Sequence, residues 1–224
     1  MPTLGASHGP RCSHCSSTLH EVDSGASSRP TAAVLVPVKA FAAAKGRLSA
    51  ALDPAARAAL ARQMAARVVA AAAPLPVTVV CDDAEVAAWG RAHGTSVVTE
   101  PGRGLNHAVA AGVGHLRRSG TDEVVIAHGD LPWARALSAL TGFAGVTLVP
   151  DRRRDGTNVI CLPSSVPFEF LYGPGSFRRH LAQCQRLGVA VRVVEPPELT
   201  FDIDVPADLS VLEHSTPACA SRAT

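Results

Sequence analysis

The sequence predicts an α/β domain built on a mostly parallel, doubly wound sheet, and three observations predict it. Short apolar, β-branched runs alternate with Ala- and Arg-rich stretches of helical length from residue 32 to about residue 213, the pattern of consecutive βαβ units. The strongest runs, Ala33-Val34-Leu35-Val36 and Val124-Val125-Ile126-Ala127, are apolar at every position, as strands buried on both faces of a parallel sheet are. The segments that leave those runs carry lysine, aspartate, glycine and proline, and open α/β sheets bind ligands beyond the carboxyl ends of their strands.

The elements follow in order. Residues 1–30 are rich in Ser, Gly, His and Pro with no periodicity, and are expected to form a disordered extension. Within them Cys12-Ser13-His14-Cys15 lacks a second Cys pair at finger spacing, so a solvated tail is favoured over the four-ligand site that structural zinc needs. Ala33–Val38 is a buried first strand with Pro37 at its exit, and residues 39–49 form a loop. Asp53-Pro54 supplies an N-cap and a first helical residue for a helix to about Ala73. Val77–Cys81 is a strand, Asp83 opens a short helix to about His93, Ser96–Thr99 is a strand, and Gly104-Leu105-Asn106 leads into a helix to about Arg118. The central strand starts near Val124 and runs to Asp130, with Pro132 forbidding its continuation. A short helix around 134–140, strands over Gly145–Pro150 and Asn158–Leu162, a helix from Ser176 to Leu187, a strand over Val189–Val194 and a last short helix from Pro206 complete a domain spanning 31–213. Residues 214–224 are expected to be a flexible tail.

Composition excludes several classes of function. The 224 residues carry a net charge of +2, too little for a nucleic-acid field or a membrane-attracting face. No apolar run reaches membrane-spanning length and no signal-peptide pattern opens the chain, so a cytoplasmic protein is expected. Its 6 cysteines are scattered, with Cys81 and Cys161 in strand-like runs where thiols behave as small hydrophobes, and disulfides are not expected. Of 21 basic residues only two are lysines, Lys39 and Lys45. In a chain that uses arginine wherever a cation serves, these mark positions needing a compact ammonium on a flexible stem.

Asp130, at a strand's carboxyl end, can hold a divalent metal or cap a turn. Asp202 and Asp204, alternating in Phe201-Asp202-Ile203-Asp204, share one side of an extended segment, where two carboxylates repel unless a cation lies between them. Lys39, Lys45 and Arg47, with Gly46 allowing close backbone approach, suit phosphate binding. There is neither Walker A spacing nor GxGxxG. Gly102–Asn106 can lie along a flat base or simply cap a helix. Asp155-Gly156-Thr157-Asn158 and Gly173-Pro174-Gly175-Ser176 can each form an anion pocket or an ordinary turn.

Taken together and in this order, Val36-Pro37-Val38-Lys39, Ala44-Lys45-Gly46-Arg47-Leu48, Gly104-Leu105-Asn106, Asp130-Leu131-Pro132, Asp155-Gly156-Thr157-Asn158, Tyr172–Phe177 with His180, and Phe201–Asp204 resemble the guanylyltransferases that make the phospholactyl or phosphoenolpyruvyl guanosine diphosphate precursor of coenzyme F420. The resemblance spans residues 32–212 and implies a Rossmann-like, glycosyltransferase A-like nucleotidyltransferase fold, similar to that of the molybdenum-cofactor enzymes. It implies transfer of GMP from GTP to phosphoenolpyruvate or 2-phospho-L-lactate with release of pyrophosphate. Asp130, Asp202 and Asp204 would hold magnesium, Lys39 would act at the transfer centre, and Lys45 and Arg47 would face the triphosphate. Leu105 and Asn106 would lie along the nucleotide, and Thr157, Gly173 and Ser176 would receive the acceptor. His128-Gly129 before Asp130 departs from the usual pattern. The pathway implied leaves room for a transient handover to the next enzyme, and no feature specifies an oligomeric state. Two readings compete: another small-molecule nucleotidyltransferase, of molybdopterin or sugar-phosphate type, and a regulatory nucleotide-binding domain without turnover.

Overall fold

The computed structural model describes residues 31–100 and 102–214; the Cys12–Cys15 motif and the 1–30 extension lie outside them. Seven strands form one sheet in the order β3-β2-β1-β4-β6-β5-β7. They are β1 (Ala32–Pro37), β2 (Val77–Cys81), β3 (Ser96–Thr99), β4 (Glu123–Ala127), β5 (Val146–Pro150), β6 (Thr157–Pro163) and β7 (Val191–Val193). The helices are α1 (Pro54–Ala71), α2 (Ala84–Ala92), α3 (Leu105–Arg118), α4 (Ser176–Leu187), α5 (Pro197–Thr200) and α6 (Pro206–His214).

The sheet separates two apolar layers because successive side chains of each strand face opposite ways. Ala33 and Leu35 pack with α3 and α4 residues such as Val109, Val113 and Cys184. Val34 and Val36 pack instead with Val68 of α1, Ala72 just past its end and Leu199 of α5. Strands β1, β2, β3 and β4 run parallel, and so do β5 and β7. Strand β6, however, runs antiparallel to both β4 and β5. Its apolar run looks the same in either direction, so the sequence pattern carries no sign of the reversal. The 134–140 helix is also corrected: Ala136 takes a left-handed conformation (φ 52°), and only a 3-10 turn, Leu137–Leu140, follows. The 39–49 loop winds into two such turns, Phe41–Ala43 and Gly46–Leu48.

Where α3 crosses the sheet, Gly112 permits close approach: a Cβ there would fall 2.7 Å from the Leu35 methyls. The start of α3 lies at the carboxyl edge of β1, where Leu105 lines a cavity with Pro37 and Val38. At that edge the β1–α1 loop, the turn after β4 and the segment before α6 meet in one cavity.

Candidate active site

Strand β4 ends at Ala127, although the His128 amide still donates to the Asn158 carbonyl at 3.1 Å. Asp130 therefore stands three residues beyond the strand, in the turn, rather than as its last residue. Leu131, fully buried, anchors that turn. In the second acidic segment Phe201 and Ile203 are buried, which leaves Asp202 and Asp204 on the other side. One carboxylate oxygen from each of Asp130, Asp202 and Asp204 lies within 4.8 Å of the others.

A residue without a site role in the sequence reading positions this segment. Asp208 is buried, and its Oδ2 accepts from the amides of Asp204 (2.7 Å) and Val205 (2.9 Å). Its other oxygen pairs with Arg152, whose guanidinium lies 4.8 Å above the Phe201 ring. Burial raises the Asp208 carboxyl, but the two amides and Arg152 outweigh it and hold it below the usual range. The only local signal is an acidic residue in the first turn after Pro206, which also fits simple dipole capping.

The electrostatics are those of crowded carboxylates around one ammonium. Lys45, left-handed at φ 55°, directs Nζ to Asp130 Oδ2 at 2.8 Å, to the Ile203 carbonyl and to within 3.7 Å of Asp204. Its side chain is 10 % exposed. Arg47 reaches Asp204 Oδ2 at 3.1 Å from solvent. Burial raises the Asp130 carboxyl, yet Lys45 and then His128 bring it below its ordinary value. Burial, followed by Asp130, Asp204 and Asp151, pushes Asp202 up to about 6. Such a set fits a divalent cation. Asp130 Oδ1 is buried with no hydrogen-bond partner among the described residues, and hard cations take carboxylate oxygens.

The cavity, about 360 Å³, is lined by Lys39, Lys45, Arg47, Leu105, His128, Asp130 and Asp204 among others. Lys39 is exposed and Lys45 seated in the acidic cluster. The ammonium nearest the carboxylates is thus Lys45, which the sequence reading placed toward the triphosphate. A smaller depression of about 80 Å³, lined by Asp82, Glu100, Gly102, Arg103 and Gly104, shares Pro37, Val38, Lys39 and Leu105 with the first. Asn106 lines neither depression; its Oδ1 accepts from the Tyr172 amide at 2.8 Å.

Thr157 and Ser176 are brought together but lie buried, outside the cavity lining. The Leu171 amide donates to His180 Nε2 at 2.9 Å, so the proton sits on Nδ1, which donates to Thr157 Oγ1 at 3.0 Å. Ser176 Oγ is 3.4 Å from Thr157 Oγ1. Burial, then Arg179 and His128, lowers His180 to about 4, so this chain of donors is fixed in direction at neutral pH. Gly173, at φ 115°, is exposed beside it. The first turn of α4 already has an anion: the Asp155 carboxylate accepts from the Gly175 amide at 3.0 Å, and the Asp155 carbonyl from Phe177. Tyr172 connects the two regions, its ring 4.8 Å from His128 and 5.1 Å from His180.

Comparison with known proteins places these features in context. A family described as guanylyl transferase CofC-like matches residues 32–217. A phosphoenolpyruvate guanylyltransferase of Rubrobacter xylanophilus is 40% identical over 192 residues, covering 81% of this chain and 93% of that protein. One from Sphaerobacter thermophilus is 36% identical, covering 85% and 97%. Among solved structures, a nucleotidyl transferase of Methanothermobacter thermautotrophicus superposes with a TM-score of 0.59 at 17% identity, over 82% of this chain and 97% of that one. A nucleotide-diphospho-sugar transferase candidate from Desulfovibrio desulfuricans G20 reaches 0.69 at 16% identity, over 85% and 90%. These two establish the nucleotidyltransferase fold. No helix among the described residues is long and apolar enough to cross a membrane.

Proposed function

The chain belongs to the CofC-like guanylyl transferase family, and from that premise we propose that it transfers GMP from GTP to phosphoenolpyruvate, releasing pyrophosphate, in coenzyme F420 biosynthesis. One observation carries the reading: three carboxylates from two distant segments converge, and two of them, Asp130 and Asp204, pair with Lys45 in the lining of one cavity. The names of the relatives support phosphoenolpyruvate over 2-phospho-L-lactate as acceptor.

In this reading an acceptor phosphate oxygen attacks the α-phosphorus of GTP, and the bond from that phosphorus to the bridging oxygen breaks, so that pyrophosphate leaves. The attacking oxygen is already anionic near neutral pH, and no general base is required. What opposes reaction is charge repulsion and misalignment. Asp130, Asp202 and Asp204 would hold magnesium, which supplies neutralisation of the transferring phosphoryl group. Lys45, fixed by the Ile203 carbonyl and Asp130, adds a positive charge at the same point, and Arg47 extends it toward solvent. Lys39 sits where the two depressions join, placed for phosphates strung between base and acceptor. Leu105 and the Gly104 backbone lie along the nucleoside. Asn106 acts from behind, holding Tyr172. The acceptor is received at Gly173, with the Thr157 and Ser176 hydroxyls, oriented by His180, buried beside it, since Asp155 has taken the Gly175 amide.

Incubation with GTP, magnesium and each candidate acceptor, followed by pyrophosphate assay, tests this. Release is expected with phosphoenolpyruvate. Release with only a sugar phosphate or a molybdopterin, or GTP binding without release, overturns the proposal. Asp130→Asn is expected to lower turnover by about 10³-fold with an unchanged circular dichroism spectrum; wild-type rates in that variant rule out the metal role.

A further inference from the structure

We infer, resting on the guanylyl-transfer reading above, that Asp82 selects guanine among the nucleobases by accepting the N1–H and 2-amino protons of its Watson–Crick edge. Strand β2 ends at Cys81, so Asp82 emerges at the carboxyl edge of the sheet, into the smaller depression. That depression is continuous with the catalytic cavity through Pro37, Val38, Lys39 and Leu105. Its remaining surface suits a flat ring. Val80 and Ala108 are apolar, and the opposite wall is the Gly102–Gly104 turn, in which both glycines take positive φ, 41° and 86°.

Of the charged side chains lining this depression, Glu100 and Arg103 lie against His107, whereas Lys39 and Asp82 make no polar contact with a described residue. Glu100 lies 3.1 Å from His107 Nδ1, and Arg103 is bonded to His107 Nε2 at 3.0 Å. Asp82 is exposed, and no hydrogen bond or ion pair ties it to another described residue. The helix cap that an aspartate after a strand ordinarily supplies is made by its neighbour: Asp83 Oδ1 accepts from the Val86 amide at 3.0 Å and starts α2. Asp82 is left with no structural task, in a pocket it shares with Lys39, Glu100 and Arg103, with apolar Val80 and Ala108 and with the Gly102–Gly104 backbone.

Guanine presents two adjacent donors, which the two oxygens of a carboxylate accept in parallel. Adenine presents an acceptor at N1, which a carboxylate repels, so the same group attracts one purine and rejects the other. Xanthine carries a 2-oxo group where guanine carries the 2-amino group. An asparagine side chain, with one donor and one acceptor, therefore fits xanthine better than guanine.

The experiment compares wild type with Asp82→Asn, using GTP, xanthosine triphosphate and inosine triphosphate. In the variant, kcat/KM for GTP is expected to fall about 50-fold and that for xanthosine triphosphate to rise above it, with kcat at saturation within about threefold of wild type. In the wild type, inosine triphosphate, which lacks the 2-amino group, is expected to be about tenfold poorer than GTP. Unchanged GTP use in the variant overturns the inference. So does loss of activity with every nucleotide in a variant of unaltered melting temperature, or equal use of GTP and inosine triphosphate by the wild type. Equilibrium binding of GTP and xanthosine triphosphate to both proteins needs no acceptor. Failure of wild type to release pyrophosphate with any acceptor thus sinks the transfer reading, while the binding preference still decides the role of Asp82.

Discussion

Asp202 is held where its charge is unwelcome. Its carboxyl, raised to about 6 by burial and by its acidic neighbours, has an ordinary value of about 3.9 in an unfolded chain. Between those values the unfolded chain releases a proton that the folded protein keeps. Stability of the metal-free protein therefore falls as pH rises from about 4 to about 6, and the full penalty persists above. Asp202→Asn removes the penalty. At pH 7.5 the metal-free variant is expected to be about 1 kcal/mol more stable than wild type by urea titration, and to show none of the magnesium-induced rise in melting temperature expected of wild type. An unchanged magnesium shift in the variant removes Asp202 from the ligand set. The acidic trio was legible because carboxylates are unusual at the ends of apolar runs, and Lys39 and Lys45 because lysine is scarce in this chain. Which lysine meets the carboxylates was not legible: it depends on the left-handed turn at Lys45, and nothing in the sequence forces that turn there. Asp82 was illegible for the opposite reason, since a pair of aspartates before a helix reads as one cap.

Among the elements, α6 matters to the site through its first turn rather than its length. Asp208 ties the amides of Asp204 and Val205 to Arg152. Asp208→Ala leaves those amides and a partly buried guanidinium without their acceptor, at about 2 kcal/mol. Turnover is expected to fall together with magnesium affinity, because Asp204 is freed; chemical denaturation and magnesium titration of activity check both. Loss of stability with intact magnesium affinity shows that Asp208 supports the fold alone. Strands and long helices were readable from local pattern: Asp53 and Asp83 cap the helices they were expected to start. Helix α5 and the 3-10 turns of the 39–49 loop escaped, being four residues or fewer, too short for a period to show. The reversal of β6 escaped because burial of both faces erases the alternation from which orientation is argued.

Across the whole molecule, two buried imidazoles set its response to acid. Burial lowers both His128 and His180, the latter to about 4, whereas an unfolded histidine protonates near 6.5. As pH falls from about 6.5 toward 4 the unfolded chain gains protons that the folded one refuses, and stability is lost over that window. This opposes the gain from Asp202. His180→Asn keeps a donor for Thr157 and removes the titration. Wild type is expected to lose about 2 kcal/mol more than the variant between pH 7 and pH 4.5, measured by urea unfolding; parallel pH profiles exclude the assignment. The reversed strand has a consequence of its own. Because β6 begins where β4 finishes, Thr157 enters the sheet with the opposite chain polarity to the strands that lead into Lys39, Asp82 and Asp130. Under the proposed function, donor and recipient would thus be gripped by separately encoded halves of one scaffold. On that reading a lineage could lengthen or recolour the 151–156 hairpin, and so exchange the small molecule it modifies, without disturbing its hold on the nucleotide.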